Sequence, residues 1–280
     1  MIRSIQFNKL LMHILIIGIG LFMLYPILWL ISSSLKPGYL IFTNLSLWPN
    51  EVTLNNYREG WAGISRVGFI TFFKNSFIVA ILCVVGNLIS SSMAAYAFGR
   101  LEFSWKKFWF AVMLVTIMLP HHVTIIPQYI LYKQLNWIDT YYPLTIPKWL
   151  ATDAFFIFLM VQFIRGLPRE LDESATIDGC GKIRIYWKII IPLALPSLIT
   201  TAIFTFIWTW DDFFSQLLYI NTPKLYTIPL GLRLFMDSSS ESSWGALFAM
   251  SVLALIPSLI VFFSLQKYFV EGISTSGIKG

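Results

Sequence analysis

The sequence predicts an all-α integral membrane protein with about six transmembrane helices. Two observations carry that reading. Of 280 residues, 57% are hydrophobic and only 12% charged, and the mean hydropathy is +0.71, which excludes an ordinary soluble domain. Apolar runs long enough to cross a ~30 Å hydrocarbon core also recur along the whole chain. The formal net charge of +6 does not point to nucleic acid, because the basic residues are scattered among loops rather than clustered. Cys83 falls inside an apolar span and Cys180 in a charged segment, so topology argues against a disulfide or a shared metal site.

The short basic N-terminus, MIRSIQFNK, precedes an apolar run from Leu10 to Ile31. A signal peptide would have an apolar core of only ~7–15 residues, so this run reads as a retained first span with a cytoplasmic N-terminus. Residues 36–68 are polar, carry Pro37 and Pro49, and read as an extracytoplasmic loop with a short helix capped by Thr53. The second span covers Phe69 to Phe98. Its Gly86, Asn87 and Ser90 to Ser92 predict close helix packing, with Asn87 read first as an interhelical hydrogen bond. Arg100, Lys106 and Lys107 mark a cytoplasmic turn, and a third span runs from Phe108 to Leu119 and on through Pro120 and Pro127.

Adjacent His121 and His122 point to different faces of a helix and have no neighbouring carboxylate, so they read as interfacial packing rather than metal or proton chemistry. After an outer loop, Gln134 to Thr140, the fourth span covers Tyr142 to Ile164 despite Pro147, Lys148 and Asp153. A charged stretch, 166–192, precedes the fifth span, Leu193 to Tyr219. The sixth runs from Trp244 to Leu265, and a glycine-bearing tail, 269–280, closes the chain. In this layout twelve of the twenty Lys and Arg residues fall inside, and the outer eight are spread over longer loops. The bias has the sign of the positive-inside rule and puts the charged stretch and both termini in the cytoplasm.

That stretch, LPRELDESATIDGCGKIRIYWKIIIPLALP from Leu167 to Pro196, is the most informative part of the sequence. Pro168 with Glu170, Asp172 and Glu173 marks a helix start, with acids at the positive end of the dipole. The helix should stop at Gly179 or Gly181, where glycine tolerates a left-handed cap. Leu171, Ser174, Ala175 and Asp178 then share a largely small-residue face that a partner could approach closely. A second, basic helix sets Lys182, Arg184 and Lys188 against Ile183, Tyr186, Trp187 and Ile190, and runs to Pro192.

Glu173-Ser174-Ala175, Gly179 four residues on, then Ile189 and Pro192 resemble the EAA loop of ABC importer permeases. Ser174, Cys180 and Ile191 depart from the family pattern without changing its spacing. Phe206 to Ile220, FIWTWDDFFSQLLYI, resembles the aromatic-acidic stretch of carbohydrate permeases, many of which have Asn at the position of Asp211. The tail FVEGISTSGIKG is similar to that of the maltose-type permease subunit. ISSSLKP after the first span and the TLNNY loop extend the resemblance over nearly the whole chain.

The resemblance implies a type I ABC importer permease for a sugar in a bacterial or archaeal cell membrane, and the aromatic content favours an oligosaccharide. The partners it implies are a second, non-identical permease, two ATPase subunits and an extracytoplasmic solute-binding protein. The coupling residues it implies are Glu173, Ser174, Ala175, Asp178, Gly179 and Pro192. In the tail, Gly277, Lys279 and Gly280 would dock between the ATPases. Candidate pathway residues are Asn87, Trp208, Trp210, Asp211 and Asp212. An ionised carboxylate facing lipid is costly, so the aspartates should face a wet cavity or a protein partner. The two tryptophans, two apart, must face different ways, and each reads first as an interfacial anchor.

No phosphate-binding loop, G-x-S-x-G or zinc-protease helix is present, so the chain should hydrolyse nothing and bind no cofactor; ATP and magnesium would belong to the partner ATPases. Two other readings stay open. An ion-driven carrier could use Asp153, Asp211 and Asp212, although no internal repeat is evident. An ABC permease for peptides or amino acids would share the elbow but not the WDDF stretch or the tail.

Overall fold

A computed structural model describes residues 2–64, 66–237 and 241–277, without the side chains of 2–8, 121–122, 241–243 and 268–277. The His121–His122 pair and the tail residues Lys279 and Gly280 therefore lie outside the described side chains or residues. Regular structure among the described residues is helical, apart from one isolated bridge between Ile64 and Val67. In chain order, α1 (Ile2–Ser34), α2 (Asn55–Ala62), α3 (Phe69–Arg100), α4 (Lys106–Ile117) and α5 (His121–Gln134) come first. They are followed by α6 (Tyr142–Trp149), α7 (Ala154–Gly166) and α8 (Glu170–Ile177). Next, α9 (Lys182–Ile185) passes through a π-helical turn, Tyr186–Ile190, into α10 (Ile191–Leu193). The chain ends with α11 (Leu195–Trp210), α12 (Phe214–Tyr219), α13 (Ile228–Asp237) and α14 (Glu241–Gly277).

Among the described residues four stretches are long and apolar enough to cross a membrane: Lys9–Ser34, Phe69–Arg100, Tyr142–Gly166 and Trp244–Lys267. A pair bent by 75°, Lys182–Leu193 with Leu195–Trp210, makes a fifth. The expected third span differs. Pro120 sits at the N-cap of α5 in an extended conformation, so two helices replace one, and α4 with its 12 residues reaches only ~18 Å. The fifth span stops at Trp210 rather than Tyr219, and α14 continues past Leu265 to Gly277. Helical propensity of the polar segment after Leu265 is invisible to a hydropathy window.

Two compact units divide the chain, one of Met1–Ile70 and Gly231–Ile256, the other of Thr71–Leu230 and Pro257–Gly280. In the first, the side chains of α1 from Leu10 to Leu28 are exposed apolar surface, as a lipid-facing helix requires. Its end is different: Ser32, Ser33, Ser34 and Lys36 are buried. The Lys36 ammonium donates to the carbonyls of Asn44 (2.8 Å) and Ser46 (2.6 Å), curling the loop after Pro37 around it. Asn56 on α2 donates to the carbonyls of Ser34 and Lys36. Thr53 does not cap α2. Leu54 holds the N-cap, and the Thr53 hydroxyl accepts from Asn55 N–H one position outside it. Trp29, Phe42, Trp244 and Phe248 close this unit edge to face, with Trp29–Phe248 centroids 5.4 Å apart.

The second unit is built on α3. Asn75 donates to the carbonyls of Lys224 and Tyr226, and the Ser76 hydroxyl accepts from Ile228 N–H. Lower down, Asn87 donates to Thr205 of α11 at 2.7 Å, and Ser90 donates to the Lys148 carbonyl of α6 at 2.6 Å. Between them Gly86 gives Trp149 room: a Cβ there would overlap the indole. This is the small-residue packing that the sequence predicts. Cys83 is buried, and its thiol donates to the Leu144 carbonyl, while Cys180 is half-buried; both are free.

Replacing Lys36 with Ala would leave the Asn44 and Ser46 carbonyls without their donor, at a cost on the order of 2 kcal/mol. Limited proteolysis should then cut the 37–54 loop several-fold faster than in the parent protein. Equal cleavage rates would show that the loop does not depend on this ammonium.

Candidate functional site

Two features of the second unit stand out, an elbow made by α8 to α10 and a cavity beside α11. In the elbow, Pro168 precedes α8, whose first turn carries Glu170, Asp172 and Glu173. The helix ends in a Schellman cap. Cys180 N–H reaches the Ala175 carbonyl at 2.9 Å, Gly179 N–H reaches that of Thr176 at 3.0 Å, and Gly179 adopts φ +79°. A Cβ at Gly179 would meet no atom within 4 Å, so the left-handed backbone alone demands glycine. Gly181 is extended and takes no part in the cap.

Ala175 corrects one expectation. It is buried, packed in a core with Ala95, Tyr96, Ile164, Ile185 and Tyr186, and does not lie on a partner-facing surface. Glu173, Ser174 and Asp178 are exposed, and so is Ile177 at 87%. The second helix is likewise turned from its expected register. Ile185, Tyr186 and Ile190 are buried, whereas Ile183 (78%) and Trp187 are exposed. The elbow thus presents acidic, small and bare aliphatic side chains outward.

Three residues on one stripe of α3 fasten the elbow. The Ser92 and Tyr186 hydroxyls lie 2.8 Å apart, and Tyr96 donates to the Lys182 carbonyl at 3.0 Å. Arg100 donates to the Leu167 carbonyl at 2.8 Å and pairs with Asp172 at 3.3 Å, its side chain only 3% exposed. Beyond these, Pro192 lacks the N–H that an α-helix would use, and the widened π turn lies immediately before it, closed by Ile191 N–H on the Tyr186 carbonyl. Pro196, in the first turn of α11, follows the 75° bend.

A cavity of about 720 Å³ opens beside α11. Of the five candidate pathway residues, Trp208 and Asp212 line it. Trp208 leans on Phe155, Phe156 and Phe204, with centroids 5.2 Å apart at the closest, and keeps half its surface free. Asp212 accepts from Ser215 N–H at 3.0 Å and so holds the start of α12. The other three lie elsewhere. Trp210 is buried against Phe73, Phe77 and Phe206; Asn87 is buried on Thr205 and Ser91; Asp211 is exposed outside the lining.

The lining also holds residues that the sequence reading does not count among the pathway candidates of a permease. Lys148 and Asp153 form an ion pair at 2.7 Å across the break between α6 and α7, where Ala151 is left-handed. The Thr152 hydroxyl and Leu150 N–H satisfy the Pro147 carbonyl, and Ser90 satisfies that of Lys148. The signal was present as two opposite charges five apart inside an apolar span. Gln128 and Gln216 add amide groups to the same wall.

With this geometry in hand, residues 86–275 match the family model described as "Binding-protein-dependent transport system inner membrane component". The chain belongs to that family. Among curated relatives, the Brucella melitensis sn-glycerol-3-phosphate transport system permease protein UgpE is 34% identical over 280 residues, covering 98% of each chain. The Halalkalibacterium halodurans arabinooligosaccharides transport system permease protein AraQ is 33% identical, covering 91% of each. The probable ABC transporter permease protein YurM of Bacillus subtilis is 33% identical over 91% of this chain and 84% of its own. The crystal structure of a bacterial ABC transporter involved in the import of the acidic polysaccharide alginate shares the fold, with a TM-score of 0.85 at 23% identity over 95% of this chain and 98% of that one. As a member of this family, the chain is a multi-pass membrane component of a binding-protein-dependent transport system, an ABC permease. An ion-driven carrier is thereby set aside.

The Schellman cap yields a sharp test. Gly179→Ala should cut uptake several-fold while leaving insertion intact, because alanine at this φ costs ~1–2 kcal/mol without any clash. Gly179→Asn, which tolerates that backbone, should retain more uptake than alanine does. Equal uptake by all three would remove the cap from the mechanism.

Proposed function

We propose that this permease imports a neutral sugar or oligosaccharide, pairing with a second, non-identical permease and two cytosolic ATPases, and receiving solute from an extracytoplasmic binding protein. The observation that carries the coupling half is the elbow, whose exposed Glu173, Ser174, Asp178 and Ile177 stand on a scaffold fixed to α3. ATP and magnesium belong to the ATPases, and this chain needs neither. The cationic groups of the second unit support a cytoplasmic elbow: Arg100, Lys106, Lys107, Arg165 and Arg169 gather at the end of the spans where the elbow sits. The C-terminal segment through Gly277, Lys279 and Gly280 is assigned to the same side, as a tail that reaches the ATPases.

The solute half rests on the cavity. Its volume lies within the ~300–1,000 Å³ usual for small-molecule sites. Trp208 offers a braced aromatic face for a sugar ring, with Lys148, Asp153, Asp212, Gln128 and Gln216 as hydrogen-bonding groups around it. One cation and two carboxylates line it, a balance that favours a neutral polyol over a phosphate ester. That chemistry aligns with the arabinooligosaccharide named for AraQ rather than the sn-glycerol-3-phosphate named for UgpE.

Reconstitution of the full complex with its binding protein tests both halves. ATP-dependent uptake of an arabinooligosaccharide should exceed that of sn-glycerol-3-phosphate, and Trp208→Ala should raise KM several-fold while Trp208→Phe largely restores it. Preferential uptake of the phosphate ester would overturn the neutral-solute assignment. Uptake abolished by dissipating an ion gradient at constant ATP would overturn the coupling scheme.

A further inference from the structure

A second cavity, of about 800 Å³, lies at the end of the spans where α3 finishes, α4 begins and α7 finishes. Its lining carries Arg100, Lys106, Lys107, Arg165 and Arg169 against a single carboxylate, Glu102. Two of the five charges are compensated. Arg100 pairs with Asp172 at 3.3 Å, and Lys106 with Glu102 at 3.1 Å. Arg165 stacks its guanidinium over Phe110 at 4.8 Å and donates to the Phe98 carbonyl, neither of which removes its charge. Among the described residues, Lys107 and Arg169 have no ion-pair partner. Three positive charges therefore converge on one concavity without an anion to balance them.

The cavity also holds the start of α4, a 12-residue helix whose first two residues, Lys106 and Lys107, line it and whose N-terminus no side chain caps. The positive end of that helix dipole adds to the same field. Glu102 registers the field: the Lys106 ammonium that it accepts from holds its carboxyl below the ordinary range, and Arg169 and Lys107 pull the same way.

Position identifies the source of the missing anion. Trp105, Phe108 and Trp109 are all more than half exposed at this level, an aromatic rim of the kind that sits among lipid headgroups. Phe103 and Trp105 line the cavity mouth itself. Basic pockets between membrane helices, at headgroup depth, recognise phosphate groups of anionic lipids. We propose that this cavity is a phosphate site filled by the headgroup of an anionic phospholipid. Lys107, Arg165, Arg169 and the α4 N-terminus would hold the phosphate, and the acyl chains would lie along α4 outside Trp105 and Trp109. The assignment does not depend on which solute the permease carries.

The test uses the assembled transporter with the full chain, delipidated in mild detergent and offered equal amounts of phosphatidylglycerol and phosphatidylcholine. Lipid retained by the purified complex is quantified by mass spectrometry. The parent should retain phosphatidylglycerol several-fold over phosphatidylcholine, and Lys107→Gln with Arg169→Gln should bring that ratio close to one. Arg169→Lys should keep most of the preference, and Lys133→Gln, on α5 outside the cavity, should keep all of it. Both cavity side chains are exposed, and the single variants read the same ratio should the double variant fail to assemble. An unchanged ratio in the cavity variants would overturn the proposal. Retention of inorganic phosphate in place of lipid would overturn the lipid source, and loss of the ATPases with lipid retention intact would mean that an acidic protein surface fills the cavity.

Discussion

The second unit depends on one helix donating and accepting hydrogen bonds through its side chains. In an apolar medium a helix has no hydrophobic reason to prefer another helix over lipid, so packing and polar side-chain contacts must supply the preference. Along α3, Asn75, Ser76, Cys83, Asn87, Ser90, Ser92, Tyr96 and Arg100 all bond other segments of the unit, from the 224–228 stretch through α6 and α11 to the elbow. Their targets are mostly backbone groups near the ends of other helices. Ser90 covers a carbonyl at the end of α6, Tyr96 one at the start of α9, and Arg100 one just before α8. The spanning helix is thereby the solvent for the irregular ones, which is the condition under which broken backbone survives at membrane depth.

The same helix joins the two functional features. Ser90 holds the Lys148 end of the cavity beside α11, and Arg100, ten residues and ~15 Å further along, holds the elbow. In the proposed importer a displacement of the elbow by a closing ATPase pair would act on α3 through Ser92, Tyr96 and Arg100 together. They lie four apart on one stripe of α3, so all three would be engaged from the same side of the helix. Two flexible points lie between elbow and cavity on the other route, the π turn before Pro192 and the bend before Pro196. In that scheme the bent route would absorb motion, whereas α3 would transmit it.

Much of this was legible in the sequence, for identifiable reasons. Gly179 could be read as a cap because a left-handed C-terminus is a local property of four or five residues. The small and polar residues from Gly86 to Ser92 announced close packing, although not that Trp149 would fill the space at Gly86. What hydropathy could not give was orientation. Ala175 looked available to a partner because a heptad-like face says which residues lie together, not whether they face in or out; the answer came from Tyr96 and Ile164 across the chain. Ile183 and Trp187 share an apolar face with Tyr186 and Ile190 in the sequence pattern, but the pattern does not say which of them point inward, and the π turn interrupts its register. Lys148 and Asp153 read as charges that the fourth span tolerates, with Asp153 a carboxylate that an ion-driven carrier could use. Their pairing depends on a break at 150–153 that only the tertiary context of Ser90 and Thr152 makes tolerable.

The two cavities differ in the sign of their charge, and that difference constrains what each can hold. Beside α11, Lys148 is already neutralised by Asp153, and Asp212 remains, so an anion entering there would meet no free cation. At the end of α3, three cations stay uncompensated, and a neutral sugar would leave them so. Each occupant would be disfavoured at the other site, by desolvating a charge without a partner in one case and by like-charge repulsion in the other. The proposed lipid phosphate and the proposed sugar would therefore occupy the same subunit at once without competing. The anion site is also fastened to the elbow through Arg100, which lines the cavity and pairs with Asp172 of α8. In that proposal a bound headgroup would neutralise the cations beside Arg100, so the lipid composition of that leaflet would bear on how firmly the elbow is seated.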